Sequence, residues 1–222
     1  MKEFLVRRVA GLPALDARFG DSAWSAAGEL EIAAFRPESS DHRPRTRARL
    51  GHAGDLVCGV FQVADRFVRC RHTAFQEPVY EDSCVEVFLQ PKPDRGYFNF
   101  EMNAGGALLS QHVVDPRRVP GGFAAFGWLV PEEGRQVSIR TTLPARIDPE
   151  IEEPLEWELS FRVPVALLEQ RVGPIGSLSG QSWRANLYKC GDRTSHPHWA
   201  AWSAVDELNF HLPRCFGLLR FE

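Results

Sequence analysis

The sequence predicts an all-β fold, an antiparallel β-sandwich of about ten strands with one short helix. Most of the chain divides into short segments in which apolar and polar residues alternate, as they do in strands with one buried face. Turn signals containing glycine and proline separate these segments, and only one segment has a helical pattern. The 222 residues, 44% of them hydrophobic, suffice for one large core, so we expect a single domain over residues 1–222.

The first third of the chain contains three predicted strands after an irregular start. Residues 1–23 are expected to form an irregular lead-in, which is followed by an aromatic residue, Trp24, that packs where the chain joins the fold. Residues 28–35 and 45–50 are predicted strands, separated by a polar loop that contains proline. Residues 55–65 are strongly apolar, which is typical of a central strand.

A predicted hairpin in residues 80–103 carries two acidic strands. In its first strand the apolar residues alternate with Cys84, Glu86 and Phe88. In its second strand Phe98, Phe100 and Met102 alternate with Tyr97, Asn99, Glu101 and Asn103. Because successive strand side chains point to opposite sides of a sheet, we expect the carboxyl and amide groups to gather on one face and the phenylalanines to fill the core.

The remaining elements are predicted as four further strands, a helix and a closing strand. The strands are expected at residues 107–114, 137–141, 155–163 and 183–190, and the last seven residues form the closing strand. Residues 164–170 are the predicted helix, because Pro164 suits a helix start. Residues 115–134, with four glycines and three prolines, are expected to be the longest irregular stretch, from which Trp128 could reach a ligand.

Composition excludes several classes of function. The 26 basic and 29 acidic residues give a formal charge of -3, so we expect no nucleic-acid partner. The five cysteines show no CxxC spacing and are odd in number, which favours free thiols over disulfides or a zinc site. No apolar run has the length of a membrane span, and charges interrupt the N-terminus where a signal peptide would be apolar, so the chain as written is expected to be soluble and cytoplasmic.

The polar face of the hairpin suggests a binding surface. Carboxyl and amide groups from Glu86, Asn99, Glu101 and Asn103, with Tyr80 at the edge, suit a ligand rich in hydroxyl groups. The alternative is an ordinary solvated sheet face, because antiparallel sheets commonly keep one face in contact with water.

A set of motifs spread over the chain carries a family resemblance. The motifs are DSAW (residues 21–24), YEDSCVEVFLQP (80–91), YFNFEMNAGG (97–106), WRANLYKC (183–190), AAWS (200–203) and FHLPRCFGLLRF (210–221). In this order they make the chain similar to the family 9 carbohydrate-binding modules and related DOMON-like β-sandwiches, which occur attached to xylanases or alone in bacterial proteins. The resemblance implies non-catalytic binding of a mono- or oligosaccharide end, linked to glycan degradation.

The resemblance also implies a binding site. Members that bind sugar hold a terminal ring between two tryptophans, and by position these roles fall to Tyr80 and Phe210 here. The polar contacts of the family fall on Glu86, on Asn99 and on the strand with Arg184 and Asn186, and Glu101 lies on the same predicted face. Tyrosine and phenylalanine offer less ring area than an indole, so we expect a lower affinity. No cofactor is expected, although members of the family often hold structural calcium.

Four other interpretations compete with sugar binding. Glu86 and Glu101 could be paired catalytic carboxylates of a glycoside hydrolase. His196, His198 and His211 could bind a metal, but no carboxylate or thiolate cluster accompanies them at ligand spacing. A haem site is disfavoured because Met102, the one internal methionine, is predicted to point into the core. A domain that has lost its sugar site and serves as a protein-interaction module is the fourth alternative.

Overall fold

The computed structural model describes residues 1–222 and confirms an all-β sandwich with short helices. Its sixteen strands exceed the predicted number. They are β1 (Glu3–Arg8), β2 (Gly28–Ile32), β3 (Ala34–Phe35), β4 (Arg45–Ala53), β5 (Leu56–Asp65), β6 (Val68–Cys70), β7 (Cys84–Gln90), β8 (Tyr97–Asn103), β9 (Leu108–Val119), β10 (Gly122–Trp128), β11 (Ser138–Thr141), β12 (Ile147–Ile151), β13 (Leu155–Pro164), β14 (Ser182–Cys190), β15 (Trp199–Ala201) and β16 (Gly217–Phe221). The α-helices are α1 (Pro131–Gly134) and α2 (Val165–Val172).

Two sheets share one strand. The first, which we call the site sheet, has the order β10-β9-β8-β7-β14-β16-β1, with β15 and β3 added beside β14. The second, the back sheet, has the order β1-β4-β5-β13-β11, with β2 beside β4. The short strands β6 and β12 pair only with each other.

Strand β1 connects the two sheets and corrects the prediction of an irregular lead-in at residues 1–23. It runs parallel to β16, where Glu3 lies opposite Leu218, and then parallel to β4, where Arg7 lies opposite Gly51. Only Val6 of this strand is fully buried. Because β1 passes from one sheet to the other, it never presents a sustained buried face, so its sequence lacks the alternation by which a strand is predicted.

The main core lies between the sheets. The hairpin of β7 and β8 contributes Val85, Val87, Leu89, Phe98, Phe100 and Met102. The back sheet contributes Leu50, Phe61, Val63, Trp157, Leu159 and Phe161 to the same cluster. The predicted alternation of the hairpin is therefore confirmed, because every apolar residue assigned to its inner face lies in this core.

A second correction concerns residues 115–134, which are mostly a β-hairpin and not an irregular stretch. Strands β9 and β10 pair along this region, and the register shifts twice between Phe123 and Phe126. The turn uses Gly121 and Gly122, both with positive φ, which glycine adopts without strain. The second half of β9, residues 114–119, is not buried. Because neither of its faces packs against a core, its apolar and polar residues do not alternate.

The outer face of the site sheet is covered over much of its area, so it is not an ordinary solvated sheet face. Residues 204–216, which we call the C-terminal segment, lie across it. A cluster of fourteen buried residues fills the space beneath and includes Phe88, Tyr97, Tyr188, Phe210, Leu212 and Phe216. As a result Glu86 and Glu101 are only 2% and 4% exposed.

A polar network is buried inside the sandwich. The Nζ atom of Lys189 lies 3.4 Å from Oδ2 of Asp65 and 2.7 Å from Nε2 of His198, and Lys189 is fully buried. His42 Nε2 and Trp157 Nε1 also bond to the Asp65 carboxylate, at 2.8 and 3.1 Å. The network pairs a buried cation with a buried anion, as such charges require.

The cysteines and helices carry two further observations. All five cysteines are free, and four of them are buried. None of the helices combines the length and hydropathy of a segment that crosses a membrane.

Candidate ligand-binding cleft

A cleft of about 830 Å³ opens on the outer face of the site sheet. Its floor is formed by β7 and β8, one wall by the β9–β10 hairpin, and the opposite wall by Tyr80, Asp192 and Trp199. Residues 207–211 of the C-terminal segment close one end. The volume lies within the range of about 300 to 1,000 Å³ that is usual for small-molecule sites.

Two glutamates form the floor. Glu86 on β7 and Glu101 on β8 are directly opposite each other in the antiparallel pair. Oε1 of Glu101 accepts a hydrogen bond from Asn99 Nδ2 at 2.6 Å, whereas its Oε2 has no partner in the protein. Oε1 of Glu86 accepts a hydrogen bond from the thiol of Cys190 at 3.2 Å. The floor therefore consists of the Glu86 carboxyl, which accepts from a thiol, and the Glu101 carboxyl, which accepts from an amide and has one oxygen without a partner.

Burial raises the pKa values of the floor carboxyls. Loss of water raises the pKa of Glu86 well above its usual range, and the neighbouring Cys190 and Glu101 add to the shift. Burial raises the pKa of Glu101 to about 8, against the opposing effect of the Asn99 hydrogen bond. Burial also raises the pKa of Asp192 to about 6. At neutral pH both glutamates therefore hold a proton and can donate as well as accept hydrogen bonds.

Aromatic side chains surround this floor. Tyr80 is 39% exposed, and Phe210 is 9% exposed with one face stacked on Tyr188 at a centroid distance of 4.0 Å. Trp199 lines the cleft and donates from Nε1 to Oδ1 of Asp192 at 2.7 Å. Trp128, 46% exposed, lines the opposite side. The predicted pair of Tyr80 and Phe210 thus meets in one cleft together with two tryptophans, of which the sequence singled out only Trp128.

Four of the seven predicted site residues line the cleft, namely Tyr80, Glu86, Glu101 and Phe210. Asn99 lies beneath the floor, fully buried, where Oδ1 accepts from the backbone N–H of Gln111 at 2.6 Å and Nδ2 donates to Glu101. Asn99 is therefore placed to hold the Glu101 carboxyl in position and does not face the cleft directly.

Arg184 and Asn186 lie away from the cleft. Strand β14 pairs with β7 so that Tyr188 is opposite Glu86 and Asn186 is opposite Phe88, under the C-terminal segment. Asn186 bonds both backbone groups of Ser203, at 2.9 and 2.8 Å. Arg184 donates from Nη2 to the backbone carbonyl of Arg214 at 3.4 Å, within the covered region. On this strand only Cys190, at its end, reaches the cleft.

Three further polar residues of the cleft were not predicted as sugar contacts, and of these only His211 was singled out in the sequence, as a possible metal ligand. Gln111 and Arg118 come from the β9–β10 hairpin, and the guanidinium of Arg118 lies 4.2 Å from the ring centroid of Phe123. His211 lies 4.0 Å from Oε1 of Glu101 and is hydrogen bonded to the hydroxyl of Tyr97. Burial lowers the pKa of His211 to about 3, so this ring is neutral near pH 7. These residues come together only through the tertiary fold.

The structure shows where the candidate metal and haem ligands lie. His211 lies in the cleft, while His196 and His198 lie with His42 beside the buried network, so the three histidines do not meet. Met102 is fully buried between the sheets, as predicted. One cluster of possible ligand atoms exists, formed by Cys84, Glu86 and Cys190 within 4.8 Å of one another.

That cluster does not suit calcium, the ion implied by the resemblance. Two sulfurs and one carboxyl are a poor match for an ion that takes six to eight oxygen ligands. Burial raises the pKa of the Cys84 thiol to about 12 and that of Cys190 well above its usual range. The sulfurs are therefore thiols near neutral pH, and Cys190 acts as a hydrogen-bond donor to Glu86.

An antiparallel sandwich with an open cleft, aromatic walls and a polar floor is the architecture of a small-molecule binding domain. A family model described as carbohydrate-binding family 9 matches residues 25–221, and the chain belongs to this family. This membership confirms the resemblance seen in the motifs and the prediction of a carbohydrate-binding domain. Among curated proteins no relative was found.

Solved structures share the fold. A Bacteroides uniformis protein, for which carbohydrate binding has been suggested, is similar over 100% of this chain and 99% of its own, with 28% identity and a TM-score of 0.84. A family 9 module from Caldicellulosiruptor kristjanssonii in complex with glucose has 12% identity and a TM-score of 0.65 over 100% of this chain and 96% of its own. A second structure of a family 9 module from that organism, with cellotriose, has 12% identity and a TM-score of 0.66 over 100% and 94%.

Proposed function

We propose that the cleft binds the end of a mono- or oligosaccharide without chemical change. The observation that carries this proposal is the meeting of Tyr80 and Phe210, far apart in the chain, at one cleft whose floor is Glu86 and Glu101. A pyranose presents flat C–H surfaces and a rim of hydroxyl groups, which match aromatic walls and a hydrogen-bonding floor. The family 9 modules from Caldicellulosiruptor kristjanssonii, which were solved with glucose and with cellotriose, support a glucose-type ligand.

The aromatic residues would contribute unequally. Tyr80 offers a more exposed ring, while Phe210 can present only the face that is not stacked on Tyr188. Trp199 is held in orientation by its bond to Asp192, so it adds a rigid surface. The most exposed rings of the cleft are therefore those of Tyr80 on one wall and Trp128 on the other.

Protonated carboxyls suit hydroxyl groups. A carboxyl that holds a proton donates through its O–H and accepts through its other oxygen, so it can bond two neighbouring hydroxyls of a sugar. Glu101 offers an unpartnered Oε2 for such a contact, and Asn99 fixes the orientation of the group. The cleft is therefore prepared before the ligand arrives, which reduces the entropy lost on binding.

Hydrolysis fits the site less well. Glycosidases with two carboxyls need one of them ionised, as nucleophile or base, while the other holds a proton. Burial raises the pKa values of both Glu86 and Glu101, so neither is a ready anion near pH 7. This arrangement favours binding over catalysis, in agreement with a role for the domain in directing glycan degradation by another protein.

Calorimetric titration tests the proposal. We expect saturable heat with glucose, xylose, cellobiose or cellotriose at millimolar concentrations, and at least a tenfold loss of affinity in Tyr80→Ala, roughly the effect of removing a stacked ring. Val114→Ala is a matched control, because Val114 is exposed on β9 outside the cleft. Absence of heat with all of these sugars would favour a protein-interaction domain.

Turnover of an aryl glycoside that is lost in Glu86→Gln would instead establish the enzyme interpretation. The substrate is added to the same purified protein, and released phenolate is followed by its absorbance. We expect no turnover above that of a blank without protein.

A further inference from the structure

The cleft is rich in carboxyl groups. Glu86, Glu101, Asp192 and Glu207 line it, against one guanidinium, Arg118. No lysine lines it. The Arg118 guanidinium lies on the face of Phe123 and forms no ion pair with any of the four carboxyls. Burial keeps Glu86 and Glu101 protonated near pH 7, but a bound cation can draw such a carboxyl into an ion pair, whereas a ligand carboxylate finds only Arg118 as a cationic partner in the lining.

One of these carboxyls has an unused acceptor. Glu101 is 4% exposed, and its Oε1 is occupied by Asn99 while its Oε2 has no hydrogen-bond partner in the protein. A buried acceptor without a donor is unfavourable, so a ligand that brings a donor to this oxygen gains binding energy there. Among sugar substituents, an ammonium is the strongest such donor, because its hydrogen bond to a carboxylate is assisted by charge.

We propose that the cleft selects a sugar with a free amino group, a hexosamine, over the neutral sugar, the N-acetylated sugar and the uronic acid. This inference rests on the proposed carbohydrate function and specifies its ligand class. The ammonium would lie against the Glu101 carboxyl, and the sugar ring would lie against the aromatic walls. An N-acetyl group lacks the charge. A uronate brings no ammonium to Glu101, and its carboxylate would be repelled by the carboxylate of Asp192, whose pKa of about 6 leaves it ionised at pH 7.

Binding of an ammonium at Glu101 would release a proton. The free site holds Glu101 as the neutral acid near pH 7, because burial raises its pKa to about 8. The bound ammonium favours the carboxylate, so the neutral acid gives its proton to the buffer as the ion pair forms. The other groups that face Glu101 are Glu86, Asp192, Tyr80, Arg118 and the neutral His211. A neutral sugar would cause no such release.

Calorimetry in two buffers tests this. Glucose, glucosamine, N-acetylglucosamine and glucuronate are titrated at pH 7 in phosphate and in Tris, which differ in their heat of protonation. We expect glucosamine to bind about five- to tenfold more tightly than glucose, the difference between a neutral and a charge-assisted hydrogen bond. The heat for glucosamine should differ between the buffers, and the heat for glucose should not.

Two variants distinguish a specific contact with the Glu101 carboxyl from a general electrostatic attraction by the acidic residues of the cleft. In Glu101→Gln the preference for glucosamine should fall below about twofold and the buffer dependence should disappear. Glu207→Gln is the matched control, because this carboxyl is exposed and already paired with Arg214 at 2.9 Å, and it should keep most of the preference. Should Glu101→Gln fail to fold, the buffer dependence of the unmodified protein decides the question.

The outcomes distinguish this inference from the proposed function. Equal affinity for glucose and glucosamine would overturn the inference and leave sugar binding intact. A preference for glucosamine that persists in Glu101→Gln would also overturn it. Absence of binding by every sugar tested would overturn the proposed function itself.

Discussion

Glu86 and Glu101 occupy directly opposite positions on β7 and β8, and both are almost fully buried. Two ionised carboxylates at such positions would repel each other in a medium that screens poorly. The protein avoids this by keeping the groups protonated near neutral pH and by supplying a thiol to one and an amide to the other.

The Glu101 carboxyl should make the stability of the protein depend on pH. Its pKa is about 8 in the folded state and roughly 4.3 when unfolded, so the folded state binds the extra proton between these values. We therefore expect the contribution of this group to stability to be present below about pH 4 and to be lost as the pH rises through 8.

Urea unfolding at pH 5, 7 and 9 checks this prediction with Glu101→Gln. The variant should gain stability relative to the unmodified protein as the pH rises, because its amide does not titrate. Glu207→Gln should change the free energy of unfolding by less than about 0.5 kcal/mol at every pH, since its carboxyl is exposed. Parallel curves for Glu101→Gln and the unmodified protein would contradict the assigned pKa.

Asn99 should be required to position Glu101. Asn99→Ala removes the bond to the Glu101 carboxyl and the bond to the backbone of Gln111. We expect a loss of about 2 to 4 kcal/mol in the free energy of unfolding and weaker sugar binding, because two buried partners lose their hydrogen bonds. Asn186→Ala is the control: it should lower stability through Ser203 but leave sugar affinity unchanged in the folded protein.

Lys189 should be required for stability. Although burial opposes ionisation of Asp65, the ammonium of Lys189 and the ring of His42 hold the pKa of this carboxyl below its usual value. Lys189→Met leaves the Asp65 carboxylate buried without its cation, and we expect a loss of about 3 to 5 kcal/mol in urea unfolding. The double variant with Asp65→Asn should recover part of this loss. A double variant as unstable as the sum of the single variants would contradict the pairing.

His211 should make the protein sensitive to mild acid. Burial lowers its pKa to about 3, so between that value and about 6.5 the unfolded state binds a proton that the folded state does not. The unmodified protein should therefore lose up to about 1.4 kcal/mol per pH unit relative to His211→Gln as the pH falls below 6.5. Thermal unfolding of both proteins between pH 7 and 4.5 measures the difference, and a constant difference would show that His211 titrates normally.

Tyr80 should tolerate a larger ring. Tyr80→Trp restores the aromatic type that sugar-binding relatives carry by resemblance, and its greater area should raise affinity for glucose by about two- to fivefold. The exposed position of Tyr80 leaves room for the indole. Isothermal titration measures the change, and a weaker affinity would indicate that the ring does not stack on the sugar.

The sequence allowed the floor of the cleft and three of its aromatic residues, Tyr80, Trp128 and Phe210, to be predicted, but not the rest of its walls. The alternation in β7 and β8 is strong because one face meets the back sheet and the other is polar, so the placement of Glu86 and Glu101 on one face followed from strand geometry. Their positions directly opposite each other came from the structure. The walls come from Tyr80, Trp199 and the β9–β10 hairpin, which lie in separate parts of the chain. No local pattern links segments that meet only in three dimensions.

The same limit explains the positions of Arg184 and Asn186. Alternation assigned them correctly to the face of β14 that carries Tyr188, but it contained no information on what lies above that face. The C-terminal segment covers this part of the sheet because its apolar residues, such as Leu212 and Phe216, are buried there. Strand β1 was not predicted for a related reason. A strand that passes between two sheets buries too little of either face for apolar and polar residues to alternate in its sequence.

The order in which the strands meet has a consequence for biosynthesis. Strand β1 leaves the ribosome long before its neighbour β16, because Glu3 and Arg220 are separated by 217 positions. The junction between the two sheets therefore stays open while the residues between β1 and β16 are translated, with strand edges exposed to other chains. Such long-range, parallel pairing closes slowly, so nascent chains of this protein should depend on chaperones until β16 has left the ribosome and paired with β1.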